Sequence, residues 1–228
     1  MDPIIRLTFF NESAGTQLIG ANAGDRFGSA VAGAGDVNGD GVDDIIVGAS
    51  ADSGGGSGAA FVFFGAQDGL DGTFLASSLN GSNGFAIDDS ASSVSGLSVA
   101  GAGDVNGDGL ADLLVGTGGA TSEQYVVFGS SSGFPSTVNV DSLDGSNGFR
   151  IGGIDPSDRP GFSVGAAGDI NGDGLDDILV GAPDSEANGF ERAGAAYVIF
   201  GSTLAIDSKS VCSVEGGDID ALPHWPRR

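Results

Sequence analysis

Short apolar runs alternate with glycine-rich polar segments along most of the chain, and this alternation predicts a protein built of β-strands. One set of runs holds β-branched residues or leucine and ends at a glycine; it lies at 45–47, 113–115 and 178–180. A second set, richer in aromatic residues, follows at 59–64, 124–128 and 195–200. Runs of this length that are bounded by turn residues are typical of buried strands.

The predicted strands are apolar on successive positions, so both faces of each sheet must be covered. The chain has almost no helical periodicity, and we therefore expect sheet to pack against sheet, as the blades of a β-propeller do. A fourth, less regular strand of each unit is predicted at 73–79 and 137–143. The predicted fold class is all-β, with blades of four antiparallel strands that form a partial or open propeller.

Internal repetition divides the chain into similar units, each long enough for one four-stranded blade. We expect a lead-in strand at 1–17 and three units at about 18–78, 79–142 and 143–201. The tail at 202–228 contains no copy of the polar segment that marks the units.

That polar segment carries the candidate chemistry. Its three copies begin at Asp36, Asp104 and Asp169 and share the pattern D-x-N-G-D-G-x-x-D. Oxygen-bearing side chains stand at positions one, three, five and nine, and glycine stands at positions four and six. Calcium takes about six to eight oxygen ligands from a flexible loop, and a glycine at position six allows the sharp turn that such a loop needs. The segment therefore predicts a calcium loop within a β-hairpin.

Two other interpretations of the segment are open. A polar Asn/Gly/Asp turn needs no metal, but three copies that keep the same oxygen positions favour ligation. An EF-hand has Glu at position twelve and a helix on each side, whereas position twelve is valine in every copy. Position eight varies between Asp43, Ala111 and Asp176, and we expect it to be solvated and not to bind the ion.

The composition and net charge disfavour some classes of binding partner. The formal net charge is −23, from 31 acidic and 8 basic residues, so the chain would repel nucleic acid and anionic membranes and attract cations. A single cysteine, Cys212, excludes an internal disulfide. No apolar run reaches the length of a membrane span. The start of the chain shows no export signal, yet weak calcium sites of this type point to an extracellular location.

Catalytic residues are not evident, and we predict that the protein is not an enzyme. Its one histidine, His224, and its one cysteine both lie in the tail, so neither a triad nor zinc ligation is supported. A pair of carboxylates would be the remaining route to acid and base chemistry. The acids outside the repeated pattern, Glu123, Glu186 and Glu191, lie in variable loops with no partner evident.

Two further repeats have structural interpretations. The pattern L-[ND]-G-S-N-G-F occurs at 79–85 and 143–149, and we expect a turn anchored by one buried phenylalanine, with a ligand-contacting loop as the alternative. Asp-Arg pairs recur at 25–26 and 158–159, where we expect a structural ion pair.

The combined pattern resembles the FG-GAP repeat of integrin α-subunit β-propellers and related bacterial proteins. The resemblance rests on Phe27-Gly28, on the three polar segments and on Gly181-Ala182-Pro183, and it covers about residues 18–201. In that family such loops hold structural calcium ions, so the resemblance implies about three ions bound by side chains and by the carbonyl at position seven. The implied ligands are Asp36, Asn38, Asp40, Val42 and Asp44; Asp104, Asn106, Asp108, Leu110 and Asp112; and Asp169, Asn171, Asp173, Leu175 and Asp177.

The resemblance also implies a function: a calcium-binding, non-catalytic module for protein interaction or cell adhesion, outside the cell or at its surface. The alternatives are the accessory propeller of a larger secreted hydrolase, such as a phospholipase D-like enzyme, and a spacer that binds nothing. A protein or carbohydrate ligand would contact the variable loops at 51–58, 119–123 and 184–192. Propellers have about four to eight blades, so we expect three blades to close by self-association or with blades of a longer chain.

Overall fold

The computed structural model describes residues 15–50, 59–70, 72–88, 96–117, 123–152, 161–186 and 190–204. These residues form fourteen β-strands and two short 3₁₀ turns, Ala76–Ser78 and Val140–Ser142, and no α-helix. The strands are β1 (Gln17–Ile19), β2 (Phe27–Gly35), β3 (Asp44–Ala49), β4 (Ala59–Phe63), β5 (Thr73–Leu75), β6 (Gly84–Asp88), β7 (Gly96–Gly103), β8 (Asp112–Thr117), β9 (Gln124–Val127), β10 (Thr137–Asn139), β11 (Gly148–Ile151), β12 (Ser163–Gly168), β13 (Asp177–Ala182) and β14 (Ala195–Ile199).

Three antiparallel sheets, here called blades 1 to 3, each contain one polar segment. Blade 1 has the strand order β2-β3-β4-β6, blade 2 has the order β7-β8-β9-β11, and blade 3 has the order β12-β13-β14 within the described residues. The polar segment joins the first two strands of each blade, and the ladder beside it contains a register shift. The prediction of an all-β fold made of antiparallel sheets is confirmed.

The predicted position of the fourth strand is wrong. Residues 73–75 and 137–139 do form strands, but β5 pairs in parallel with β1 and β10 pairs in parallel with β6. After each of these strands the chain makes a 3₁₀ turn and then an Asn/Gly turn. It returns as β6 or β11, which pairs antiparallel with β4 or β9 and is the outer strand of the blade. Strand β10 of one unit is therefore added to the sheet of the unit before it.

The apolar core lies between the sheets, as the continuous apolar runs predict. Val62 and Phe64 of blade 1 belong to the same buried cluster as Val115 and Val127 of blade 2. A second cluster joins blade 2 to Ile178 of blade 3. A third covers the opposite face of blade 1 with residues of β1 and β5. Packing of neighbouring sheets removes apolar side chains of both from water, and this burial stabilises the fold.

Small residues are required where the first strands of adjacent blades approach one another. A Cβ atom at Gly101 of β7 would lie 2.7 Å from the carbonyl oxygen of Gly33 of β2, which is closer than non-bonded atoms can approach. The outer strands are held differently: Phe85 of β6 and Phe149 of β11 are 0% and 7% exposed. The repeated L-[ND]-G-S-N-G-F pattern is therefore a turn followed by a buried aromatic anchor.

Candidate metal centres

The aspartate at position one organises the backbone of each polar segment, here called a loop. In the first loop, Asp36 Oδ1 accepts hydrogen bonds from the N–H groups of Gly39 (2.7 Å) and Asp40 (3.1 Å), and Oδ2 accepts one from Gly41 N–H (2.8 Å). Asp104 and Asp169 make the same three bonds with distances that differ by no more than 0.1 Å. The three loops therefore share one conformation.

Positions three and five complete the exposed tip of the loop. Asn38 Oδ1 accepts the N–H of Asp40 at 2.9 Å, and Asn38 Nδ2 donates to Asp40 Oδ2 at 2.9 Å. Asp40 Oδ1 in turn accepts the N–H of Val42 at 2.9 Å. The glycines at positions four and six have φ values of 77° and 85° in this loop, a region that a residue with a Cβ enters only at a cost. The tip thus gathers oxygen atoms around a tight, glycine-dependent turn.

The aspartate at position nine lies behind the tip and is buried. It begins the second strand of each blade, and Asp44, Asp112 and Asp177 are at most 1% exposed. Asp44 Oδ2 accepts the N–H of Val37 at 2.9 Å, and Oδ1 accepts the N–H of Gly65, just after the third strand, at 2.8 Å. The other two aspartates make equivalent bonds. This carboxylate joins the loop to the end of the third strand.

Burial also changes the acidity of this group. Desolvation raises the pKa of Asp44 from 3.8 to about 6 and the pKa of Asp112 from 3.8 to about 7. In these two loops the backbone N–H donors lower the pKa, while the carboxylates at positions five and one raise it. A cation at the loop would favour the ionised forms of all three acids.

These loops fit calcium in the chemistry of their donors. The groups at positions one, three, five, seven and nine are oxygen donors, and three of them are carboxylates whose negative charges disfavour one another. Every carboxylate oxygen has a second lone pair besides the one that accepts an N–H. Across the described ranges, no cluster of three or more acidic, histidine or cysteine side chains is arranged as a metal site. In the structure the loop carboxylates accept hydrogen bonds from backbone N–H groups.

Position eight has a role that the sequence did not reveal. Asp43 is exposed, as expected, but Ala111 and Asp176 are half-buried, so the expectation of a solvated position is wrong for these two. Ala111 N–H donates to the carbonyl of Asp36 in the preceding loop at 3.1 Å. Asp176 N–H donates to the carbonyl of Asp104 at 3.0 Å, and Asp176 Oδ2 accepts the N–H of Asp104 at 2.8 Å. Position eight of the second and third loops therefore joins each loop to the preceding one.

The three glutamates that the sequence singles out outside the repeated pattern have different surroundings. Glu123 forms an ion pair with Arg150 at 3.1 Å and accepts a hydrogen bond from the hydroxyl of Tyr125 at 2.7 Å. Glu186 and Glu191 are exposed. His224, Cys212, the Asp-Arg pair at 158–159 and the variable loop at 51–58 lie outside the described residues. The ion pair expected at 25–26 stays a prediction; Asp25 is buried and accepts the N–H of Asn22 at 2.8 Å.

Comparison with known families identifies the repeated unit. The FG-GAP repeat matches residues 27–63, 95–133 and 161–199, which together make up about half of the chain. The chain belongs to the FG-GAP repeat family. Each match covers the first three strands of a blade and the loop between the first two, so the FG-GAP repeats are the propeller blades that the sequence predicts.

Curated proteins that contain similar stretches are much longer than this chain. Integrin alpha pat-2 of Caenorhabditis elegans is 39% identical over 71 residues, which are 31% of this chain and 6% of that protein. Integrin alpha-IIb of Mus musculus is 38% identical over 110 residues, 47% of this chain and 9% of that protein. Phosphatidylinositol-glycan-specific phospholipase D of Mus musculus is 34% identical over 106 residues, 43% of this chain and 12% of that protein. None of the helices in the described part is long and apolar enough to cross a membrane.

Proposed function

We propose that this chain is a calcium-binding, non-catalytic propeller module that contacts another protein, as in cell adhesion, outside the cell or at its surface. The observation that carries the proposal is the hydrogen-bonded loop, which recurs three times with the same oxygen atoms directed to the same backbone groups. The backbone N–H groups alone account for the conformation of the loop, but three negative charges in one short loop favour a cation. The similarity to integrin alpha chains supports the choice of a protein partner.

Calcium would be held by the side chains at positions one, three, five and nine and by the carbonyl at position seven. When bound it would supply positive charge to a loop that holds three carboxylates, and it would offset part of the net charge of −23. The protein's own residues set the backbone of the loop and keep the position-nine carboxylate away from water. Weak calcium sites of this type are occupied only where the calcium concentration is close to millimolar, as it is outside the cell. An extracellular location is therefore part of the proposal.

The second candidate is the accessory propeller of a larger secreted hydrolase. The observation in its favour is the stretch shared with a phosphatidylinositol-glycan-specific phospholipase D. In that case the catalytic residues would lie in another part of a longer protein, and the loops would serve the same structural purpose. The two candidates differ in partner and not in the role of calcium. Turnover of a phosphodiester or glycoside by the isolated chain would contradict both.

Calorimetric titration of the chelator-treated chain with calcium tests the proposal. We expect about three ions per chain, and we expect Asp40→Ala to remove one of them because Asp40 belongs to the network at the tip. The matched control is Asp43→Ala, which removes an exposed carboxylate of the same loop for which no role in the tip is proposed. Equal losses from the two variants would show that only overall charge matters. No heat of binding in the wild-type chain would reduce the loops to turns.

A further inference from the structure

Blade 3 exposes apolar positions that blades 1 and 2 bury. Ile170, Leu179, Val198 and Phe200 are 56%, 38%, 42% and 47% exposed. The equivalent residues of blade 1, which are Val37, Ile46, Val62 and Phe64, are at most 7% exposed because blade 2 covers them. The opposite face of blade 3 is covered by blade 2, where Ile178 and Val180 are fully buried. We call the exposed face of blade 3 the trailing face.

The covered faces show what kind of partner the trailing face accepts. In blade 1 the carbonyls of Asp36 and Val37 accept hydrogen bonds from Ala111 N–H at 3.1 Å and Ser130 N–H at 2.8 Å of blade 2. Blade 2 presents the same two carbonyls, those of Asp104 and Val105, to blade 3 at 3.0 and 2.8 Å. The corresponding carbonyls of blade 3 meet no following blade within the described ranges. The surface is therefore shaped for another FG-GAP blade.

Strand β1 has the position of an outer strand, and the described residues contain no inner strands that would complete a blade with it. It pairs in parallel with β5 as β6 pairs in parallel with β10, so Gln17 and Leu18 correspond to Ala86 and Ile87 of β6. The sequence before it agrees, since residues 11–15 read N-E-S-A-G where 80–84 read N-G-S-N-G. Strand β6, however, also pairs with β4 of blade 1, and among the described strands β1 has no such second neighbour.

Blade 3 has the complementary gap. Blades 1 and 2 are completed by an outer strand that follows them in the chain, β6 or β11, whereas the described part of blade 3 ends at β14. The leading face of blade 1 is also partly open, because Val31 is 69% exposed where its equivalent in blade 2, Val99, is 7% exposed. Within the described residues, one end of the arc thus has no outer strand, and the other end carries an outer strand without inner strands beside it.

We propose that a second copy of this chain covers the trailing face, and that β1 of each copy becomes the outer strand of blade 3 in the other copy. The contact is head-to-tail, and such contacts form a closed ring when the rotation permits. The three blades of the described residues fall short of the range of about four to eight blades that propellers use, whereas two copies supply six and three copies exceed the range. The register follows from blade 2: Gln17 of one copy lies opposite Tyr197 of the other, as Arg150 lies opposite Tyr125.

Sedimentation of the 228-residue chain at physiological salt tests the assembly. We expect a species of twice the 22.3 kDa chain mass, and we expect Val198→Asp to convert it to a monomer that keeps its β-sheet circular dichroism. The control is Leu75→Asp, also at an exposed apolar position of a strand. Its equivalent, Asn139, stays exposed although blades 1 and 2 are in contact, so this variant should remain dimeric. A monomeric wild-type chain overturns the proposal, including one whose residues 205–228 cover the face.

Cross-linking tests the strand exchange separately from overall folding. In a background that carries Cys212→Ser, Gln17→Cys together with Tyr197→Cys should form a disulfide-linked dimer on a denaturing gel, since directly opposed residues of paired strands lie close together. Gln17→Cys together with Val198→Cys is the control, because neighbouring residues of a strand point to opposite faces. Equal cross-linking of the two pairs, or none in the first, contradicts the proposed pairing.

Discussion

Each loop has an exposed tip, with aspartate at position five, and a buried end, with aspartate at position nine, which we call the base. Asp108 at the tip is exposed, whereas Asp112 at the base is fully buried between two strands. Both accept backbone N–H groups, and burial raises the pKa of Asp112 to about 7. Two aspartates of the same loop can therefore have different roles. We infer that the aspartate at the base connects the strands of the blade and that the aspartate at the tip binds the cation.

Removal of the base carboxylate should have the largest effect. Asp112→Ala leaves the N–H groups of Val105 and Gly129 without their acceptor, and we expect the free energy of unfolding to fall by about 1–3 kcal/mol. Urea denaturation in the presence of a chelator measures this loss. Asp108→Ala serves as the control at the tip and should cost less than about 1 kcal/mol. Comparable losses would remove the distinction between tip and base.

Calcium should stabilise the chain through the tip. At a free concentration about 100 times the dissociation constant, a single site adds about 2.7 kcal/mol to the free energy of unfolding. The Asp108→Ala variant should lose the calcium-dependent stabilisation of its own loop and keep that of the other two loops. Thermal unfolding with and without calcium measures the difference. An undiminished calcium effect in this variant would exclude the tip as the binding element.

Without calcium the free energy of unfolding should fall as the pH rises, whereas the stabilisation that calcium adds should grow. For Asp44 and Asp112 the folded pKa values of about 6 and about 7 lie above the ordinary 3.8, so the folded state binds protons more tightly than the unfolded chain does. Their contribution to stability is present at low pH and is lost as the pH rises through 6 to 7. Calcium requires the ionised forms, so the stabilisation by calcium should grow over the same interval.

Melting temperatures between pH 5 and 8 check this expectation, and the predicted slope without calcium is downward. Asp112→Asn removes the titrating group and should flatten part of that slope. A slope without calcium that is unchanged in Asp112→Asn would show that other acids cause it.

The smallest effect is expected at position eight. Asp176→Ala removes the side-chain bond to the N–H of Asp104 and leaves the backbone bond between the same loops, so we expect a loss of about 0.5–1.5 kcal/mol. The number of bound calcium ions should stay the same. Asp43→Ala, at the exposed equivalent position, should have no measurable effect on stability. Loss of an ion from the Asp176 variant would add position eight to the ligands.

The sequence predicted the inner strands well because their apolar runs are continuous and buried on both faces. It misplaced the outer strand because Gly84–Asp88 is short and pairs with β4 only after the chain has passed through β5. Residues 73–75 look like a strand and are one, but no local pattern reveals that the partner is β1. Pairing between distant segments is decided by packing, which the pattern of one segment does not record.

The loops were found from the sequence, but their internal division was not. The sequence pattern does not distinguish the aspartate at position five from the one at position nine. Asp44, at position nine, is buried because the second strand of the blade begins there. The role of position eight depends on the neighbouring loop and is absent from any single copy. Repetition identified the residues that matter, and the structure distinguishes what each of them contacts.

Native mass spectrometry of the chelator-treated chain, titrated with calcium, tests the central claim most directly because it counts bound ions. The account predicts saturation at three calcium ions per chain for the wild type, and at two for Asp40→Ala, Asp108→Ala or Asp173→Ala. A wild-type chain that binds no calcium, or that keeps all three ions in these variants, would contradict the assignment of the loops as calcium sites.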